Sequence, residues 1–341
     1  MDYKLLLMKY ILYSRLQNQL QDEGIILDDF DWLKDKVIRL AGSKEKYRNV
    51  CNKSNSKTYD KGLWAFWKLL IHAYYVDIFT NVAKKHKSNV VYIDLLAGPG
   101  INYLEDLDLY IAGSPLIAKH APRVTKDGRS KAFDKMVLVD KDEECCLSLE
   151  KILDCKTLCA DCNSAEVMSE IARVMKPKKS LFLTFLDPEG TQVHWSTMEK
   201  LFQLPGDFII NYPWSGVARF ARGYHGTSGK GRKKSGERLD CFFGDTSWRN
   251  VPEDSSAEWL YDFYLNRLQE HRSEIVEFQI SMKGGGQYRI LIATRKTRSG
   301  SPWLNPVREL RDRLDGITDE TLMNLVEVYK GTQRPLTDWI S

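Results

Sequence analysis

At 341 residues, 43% apolar and 28% charged, the chain has the composition of an ordinary soluble globular protein, long enough for one full α/β core and a smaller satellite. Its formal charge of +4 is too small to announce a nucleic-acid binder, and the absence of an uninterrupted bilayer-spanning apolar run argues against membrane insertion. Seven cysteines without regular spacing, and no secretory signal, argue for free thiols in a reducing compartment and a cytoplasmic location.

The amino terminus starts apolar, but Lys4, Lys9 and Arg15 interrupt it and no small-residue cleavage site follows, so a helix is expected there. Helical spacing of Leu5, Met8, Ile11, Leu12 and Leu16, then of Phe30, Leu33, Val37 and Ile38, predicts a helical appendage over residues 1–60. It ends in a polar linker or flexible loop at residues 51–60. Residues 62–85 carry an apolar helical pattern through Phe66, Trp67, Leu70, Ile71, Tyr74 and Ile78.

An apolar, β-branched run at residues 90–94 then stops at Asp94 and at two glycines, Gly98 and Gly100. It is too short for a helix and predicts a buried strand whose glycine turn lets the backbone approach a ligand closely. Strands are expected next at residues 135–140, 156–161, 180–187 and 207–211, with helices after each of the first three near Asp142, Ala165 and His194. Alternation of this kind implies crossover connections and a parallel sheet covered on both faces, in a domain spanning residues 61–297. The alternation ends with a strand at 274–282, glycines at 284–286 and a strand at 287–294, an antiparallel hairpin closing the sheet. Two short helices make up a tail over residues 298–341, with Leu310, Leu314, Leu322, Leu325 and Val326 apolar.

Ligands bind across the carboxyl ends of such strands, and several strand-final residues here are acidic: Asp94, Asp140, Asp161 and Asp187. Asp140 suits vicinal ribose hydroxyls, because a carboxylate offers two acceptors in one plane; the alternative is that it only caps the following helix. Its separation from Gly100 is wider than the usual spacing, which an inserted loop at residues 102–112 accounts for. Asp94, Ala97, Gly98, Gly100, Asp140, Lys141, Asp161 and Cys162 therefore form the expected cofactor set. After the fifth strand, Asn211, Tyr212 and Trp214 offer an aromatic wall for a flat substrate, or core packing. Arg219, Arg232, Lys233 and Lys234 lie in a basic, glycine-rich insertion at residues 215–250, either a phosphate-binding loop or a solvated surface. Cys155, Cys159 and Cys162 have a cluster-like spacing, but on a strand the odd step turns Cys162 to the opposite face, so buried free thiols are expected and no metal.

The hairpin ending resembles class I S-adenosylmethionine-dependent methyltransferases. The run from Tyr92 to Gly100, with Gly113, Ser114 and Pro115, then Asp187, Pro188, Glu189 and Gly190, and finally Asn211, Tyr212, Pro213 and Arg219, resembles the three-Cys-motif partner protein family. That resemblance covers about residues 61–219. It implies a Rossmann-like methyltransferase fold with a mostly parallel seven-stranded sheet, S-adenosylmethionine as cofactor, and a partner protein carrying a cysteine motif. A likeness to ribosomal RNA adenine-N6 methyltransferases implies that Lys68 meets the cofactor carboxylate. Amino-methyltransferases carry two prolines and an aromatic after the fourth-strand acid, where this chain has Pro188, Glu189 and Gly190. Asp187, Pro188 and Glu189 are thus the expected catalytic residues, acting on a nucleic-acid base or another large anionic substrate. The alternative is a non-catalytic cofactor- or nucleic-acid-binding subunit that works with a partner.

Overall fold

In the computed structural model, which describes residues 27–42, 46–120, 132–226, 228–250, 257–281, 287–297, 300–315 and 317–330, the chain first forms helices α1 (Leu27–Ala41) and α2 (Lys46–Ser54). The expected amino-terminal helix before residue 27 lies outside the described residues. A short strand, β1 (Tyr59–Lys61), follows, so residues 51–60 are half helix and strand and not a free linker. Helix α3 (Trp64–His86) then runs through the middle of the molecule, buried on nearly all sides from Ala65 to Ala73. Such all-round burial is why it carries few polar residues, and why Lys68 and His72 are enclosed.

The expected strand is β2 (Asn89–Asp94), every residue of it buried. The insertion after the glycine turn is not a loop: β3 (Ile101–Leu104) and β4 (Leu109–Ala112) form an antiparallel hairpin that β1 extends to a separate three-stranded sheet. Helix α4 (Ser114–His120) leads away, and β5 (Lys135–Asp140), α5 (Glu143–Leu153), β6 (Leu158–Cys159), α6 (Ala165–Val174), β7 (Ser180–Leu186), α7 (Trp195–Phe202) and β8 (Gly206–Tyr212) alternate as expected. Only β6 is much shorter than its predicted strand. The basic insertion expected as a loop at residues 215–250 consists largely of two helices, α8 (Trp214–Gly226) and α9 (Gly229–Phe243). Helix α10 (Ala257–His271), strands β9 (Glu274–Ser281) and β10 (Gln287–Thr294), and helices α11 (Asn305–Leu314) and α12 (Asp319–Lys330) complete the described chain; the glycines of the last turn lie outside it.

The large sheet has the order β6-β5-β2-β7-β8-β10-β9. Its first five strands pair parallel, whereas β10 pairs antiparallel with both β8 and β9, so the sheet is mixed. Strand residues alternate between two cores, as period-two geometry requires. Tyr92, Leu138, Phe185, Ile209 and Ile290 face α3, while Ile93, Val139, Phe182, Phe208 and Leu291 face the layer of α6 to α10. Each large apolar side chain so enclosed contributes about 1.5–3 kcal/mol.

The appendage and the tail do not stand apart from this core. Leu33 and Val37 of α1 and Leu322 and Leu325 of α12 share one apolar cluster with α3. Arg39 bridges Asp77 at 2.6 Å, and the Trp67 indole donates to Asp319 at 2.9 Å. Among the described residues no helix is long and apolar enough to cross a membrane.

Candidate functional site

The glycine turn after β2 needs a backbone conformation that side chains disfavour. Gly98 and Gly100 have φ of 62° and 88°, a region that L-residues with side chains rarely adopt. The Ala97 amide donates to the Val139 carbonyl at 2.9 Å, and the Gly113 amide to the Gly100 carbonyl at 2.7 Å. Asp140, at the end of β5, takes the Gly98 amide on Oδ2 at 2.8 Å and the Asp142 amide on Oδ1 at 2.9 Å. The cap of α5 is Asp142, whose Oδ1 accepts from the Glu144 and Cys145 amides. Asp140 therefore does not cap the helix; it anchors the turn, with a second lone pair left on each oxygen.

Asp94 lies beneath the turn, fully buried and off the cleft. It accepts from the Tyr92 hydroxyl at 3.1 Å, the Leu96 amide at 3.3 Å and the Ser114 hydroxyl. Burial pushes its carboxyl up to about 7, against those hydrogen bonds. The same tyrosine hydroxyl lies 3.1 Å from His72 Nε2, and burial pushes that imidazole down to about 3.

A cleft of about 280 Å³ opens between the turn and the ends of β7 and β8. Ala97, Gly98, Gly100, Asp140 and Lys141 line one side, and Asp187, Pro188, Glu189 and Asn211 the other. The Asp187 carboxylate is held from two directions: the Lys68 ammonium contacts Oδ2, and Asn211 Nδ2 donates to Oδ1 at 2.8 Å. Lys68 also sits 4.1 Å from the centre of the Trp64 ring. Burial lowers its pKa, opposed by Asp187. Glu189, by contrast, is 72% exposed and meets Lys61 at 3.1 Å, a surface pair of little energetic weight.

The aromatic wall differs from the expected one. Tyr212 is fully buried among Trp214, Phe242, Tyr261 and Tyr264 and does not reach the cleft, because alternation along β8 turns it away from Asn211. Trp214 lines the cleft, joined by Tyr59, Trp64 and Tyr288, which sequence reasoning missed. Trp64 and Tyr288 stack with ring centres 4.8 Å apart. One signal for Tyr288 was available: an antiparallel strand begins at the edge where its parallel neighbours end.

Asp161 and Cys162 lie in an adjoining compartment of about 420 Å³, which shares Leu96, Lys141 and Gln192 with the cleft. Asp161 Oδ1 accepts from the Asn163 amide at 2.7 Å, and burial pushes the Cys162 thiol up to about 12. Cys155 is half-buried and Cys159 exposed, so the thiols are not uniformly buried. Among the described residues no three or more His, Cys, Asp or Glu side chains gather around a common point suited to a metal ion.

The basic residues separate over two helices. Lys234 and Arg238 face the adjoining compartment, whereas Arg232 and Lys233 border a shallow depression beside Tyr224, with the Arg232 guanidinium 4.5 Å from that ring's centre. Arg219 is exposed and lies 5.1 Å from the Phe220 ring. Arg219, Arg232, Lys233 and Lys234 do not line the main cleft.

No family model matches the chain, and no curated protein does. Among solved structures the chain is similar to protein LPL1258 from Legionella pneumophila, of family DUF519, at 13% identity and a TM-score of 0.39, over 76% of this chain and 90% of that one; likeness of that size supports nothing about fold or chemistry.

Proposed function

We propose that the cleft binds S-adenosylmethionine and directs methyl transfer to a nucleic-acid base or another large anionic substrate. The observation that carries this reading is the bond from the Gly98 amide to Asp140: the strand-two acid and the glycine turn form one cradle, opposite a second acid, Asp187. The residues present fit a nucleoside. Gly98 lies against the Tyr59 ring, which a Cβ would meet at 3.4 Å, beside an acid with spare acceptor capacity. The sheet order, with its antiparallel hairpin, supports the Rossmann-like methyltransferase reading, and the turn, Ser114, Asp187 and Asn211 support the resemblance to the three-Cys-motif partner family.

When bound, S-adenosylmethionine supplies an electrophilic methyl group. Asp140 accepts from the ribose hydroxyls, and Asp161 with Cys162 lines the compartment next to it. Asp187 and Pro188 orient the acceptor, Asp187 being fixed in place by Lys68 and Asn211. Lys68 is committed to Asp187, so the implied contact with a cofactor carboxylate would require it to change partner. Helices α8 and α9 offer Arg219, Arg232 and Lys233 to a phosphate backbone.

A second reading, a non-catalytic binding subunit of a larger complex, is favoured by Glu189, which stands where amine methylation uses a second proline and points to solvent beside Lys61. Calorimetry with S-adenosylmethionine tests the cofactor, and mass spectrometry of nucleic acid from expressing and non-expressing cells tests the transfer. Binding without any methylated product favours the second reading; absence of S-adenosylmethionine binding removes the methyltransferase reading and leaves only a nucleic-acid-binding subunit.

A further inference from the structure

Two cysteines that the cleft does not use meet at the strand end that carries Asp140. Strand β6 pairs in parallel with β5 and sets Cys159 directly opposite Asp140, which brings their Cα atoms to about 4.8 Å. The Asp140 carbonyl points across to β6, where it accepts the Ala160 amide at 3.0 Å, and the same oxygen accepts the Cys146 thiol at 3.4 Å. Cys146 stands in the first turn of α5, its amide bonded to the Asp142 carbonyl at 3.1 Å. Converging on one carbonyl from the helix and from the strand, the thiols of Cys146 and Cys159 come into hydrogen-bonding contact. Their side chains are thus directed at each other, as disulfide formation requires.

The two thiols differ in access. Cys159 is exposed and Cys146 is 4% exposed, so a reagent in solution meets Cys159 first. Neighbouring thiols are engaged elsewhere: Cys145 donates to the Tyr59 hydroxyl at 3.1 Å, and Cys162 to the Gln192 carbonyl at 3.8 Å. An exposed thiol beside a buried one suits capture of an oxidant by the first and resolution by the second.

We propose that Cys146 and Cys159 form a reversible dithiol–disulfide couple, oxidised by a small disulfide of the glutathione type, with Cys159 as the entry thiol and Cys146 as the resolving thiol. The Cys159 thiolate attacks one sulfur of oxidised glutathione, which breaks the glutathione disulfide, releases one glutathione thiolate and leaves a mixed disulfide. Cys146 gives its proton to water and attacks the Cys159 sulfur, and the second glutathione leaves as a thiolate. Both protein thiols are oxidised and one glutathione disulfide is reduced to two thiols, so electrons and protons balance. Burial raises the pKa of Cys146, and the adjacent Cys159 thiol raises it further, so resolution draws on a small thiolate fraction and accelerates as pH rises. The new bond ties α5 to β6 beside Asp140, the acid that anchors the glycine turn, and it forms whatever the cleft binds. In a reducing compartment such a bond is transient, as regulatory disulfides are.

The test incubates the full chain, reduced and then freed of reductant, with oxidised glutathione at mildly alkaline pH. The protein is alkylated and digested, and the peptides are mapped by mass spectrometry. A Cys146–Cys159 linkage is expected, with loss of glutathione from Cys159 and reversal by dithiothreitol. In Cys146→Ser that linkage disappears and Cys159 retains glutathione as a mixed disulfide, whereas Cys145→Ser behaves as the parent. A parent Cys159 that stays reduced, that retains glutathione or that links to Cys145 overturns the pairing. A Cys146–Cys159 bond that forms only after unfolding in urea overturns it as well. Mapping the parent needs no variant, so the result stands even if Cys146→Ser fails to fold.

Discussion

Replacing Lys68 by methionine should cost less stability than replacing Asp187 by asparagine, although each removes one member of the same ion pair. The reason is the difference in enclosure: the Lys68 side chain is 5% exposed and that of Asp187 22%. Without its carboxylate partner the ammonium is left in near-complete burial, and breaking a buried pair in that way costs about 3–5 kcal/mol. Loss of the proton limits the cost, since burial already lowers the pKa of Lys68. Methionine in place of lysine keeps most of the apolar stem. It leaves a carboxylate that water reaches and that still accepts from Asn211 at 2.8 Å, so a loss of about 1–2 kcal/mol is expected, including the cation–π interaction with Trp64. Urea unfolding of both single variants and the double variant at neutral pH gives the ordering and the coupling energy. A Lys68→Met variant at least as destabilised as Asp187→Asn, or a cycle without coupling, would refute the argument from enclosure.

Asp94 and His72 should pull stability in opposite directions with pH. The raised carboxyl of Asp94 contributes stability that is present below about pH 4 and lost as pH rises through about 7, whereas the depressed imidazole of His72 contributes stability present above about pH 6.5 and lost as pH falls towards 3. Asp94→Asn should therefore become more stable relative to the parent between pH 4 and 7, by at most about 4 kcal/mol, and a pH-independent difference in urea midpoints would show that Asp94 does not titrate in that window. Asp140→Ala should abolish S-adenosylhomocysteine binding and also destabilise the fold by about 1–3 kcal/mol, because the Gly98 and Asp142 amides lose their acceptor; unchanged calorimetric affinity would remove the cradle. Arg232→Ala with Lys233→Ala should reduce the salt dependence of single-stranded RNA binding by about 0.7 for each phosphate no longer neutralised and spare cofactor binding, and an unchanged salt slope would leave α9 as a solvated surface.

How far the chain could be read in advance follows from the range of the interactions involved. Asp142 as a helix cap, the buried strand before Gly98 and the alternation through β8 depend on residues a few positions apart, where periodicity and capping act directly. The hairpin at 102–112 was hidden because Asn102 to Leu104 finds its partners in both Tyr59 to Lys61 and Leu109 to Ile111, one of them about forty residues upstream. Glycines and lysines between residues 226 and 236 suggested a loop, yet Gly236, Leu239, Phe242 and Phe243 pack inward and hold that stretch as a helix. Tertiary burial outweighs a few tenths to about 1 kcal/mol of poor propensity at each glycine.

The sequence by itself determined the strand and helix alternation from β5 to β8 and put acids at the ends of successive strands, because strand period and the turns that stop it are local properties. It also determined that the turn after β2 needs glycine. Only the tertiary structure decided what those acids do. Asp140 anchors the glycine turn, Asp94 is sealed beneath it, and Asp187 is shared between Lys68, 119 residues away in sequence, and Asn211. It decided too that Tyr212 belongs to the core while Trp214 and Tyr288 reach the cleft. Partners so distant in sequence are brought together by closing the sheet and burying its two faces, and no local pattern records which polar atoms then meet and which, like Asn211 Oδ1, are left without one among the described residues.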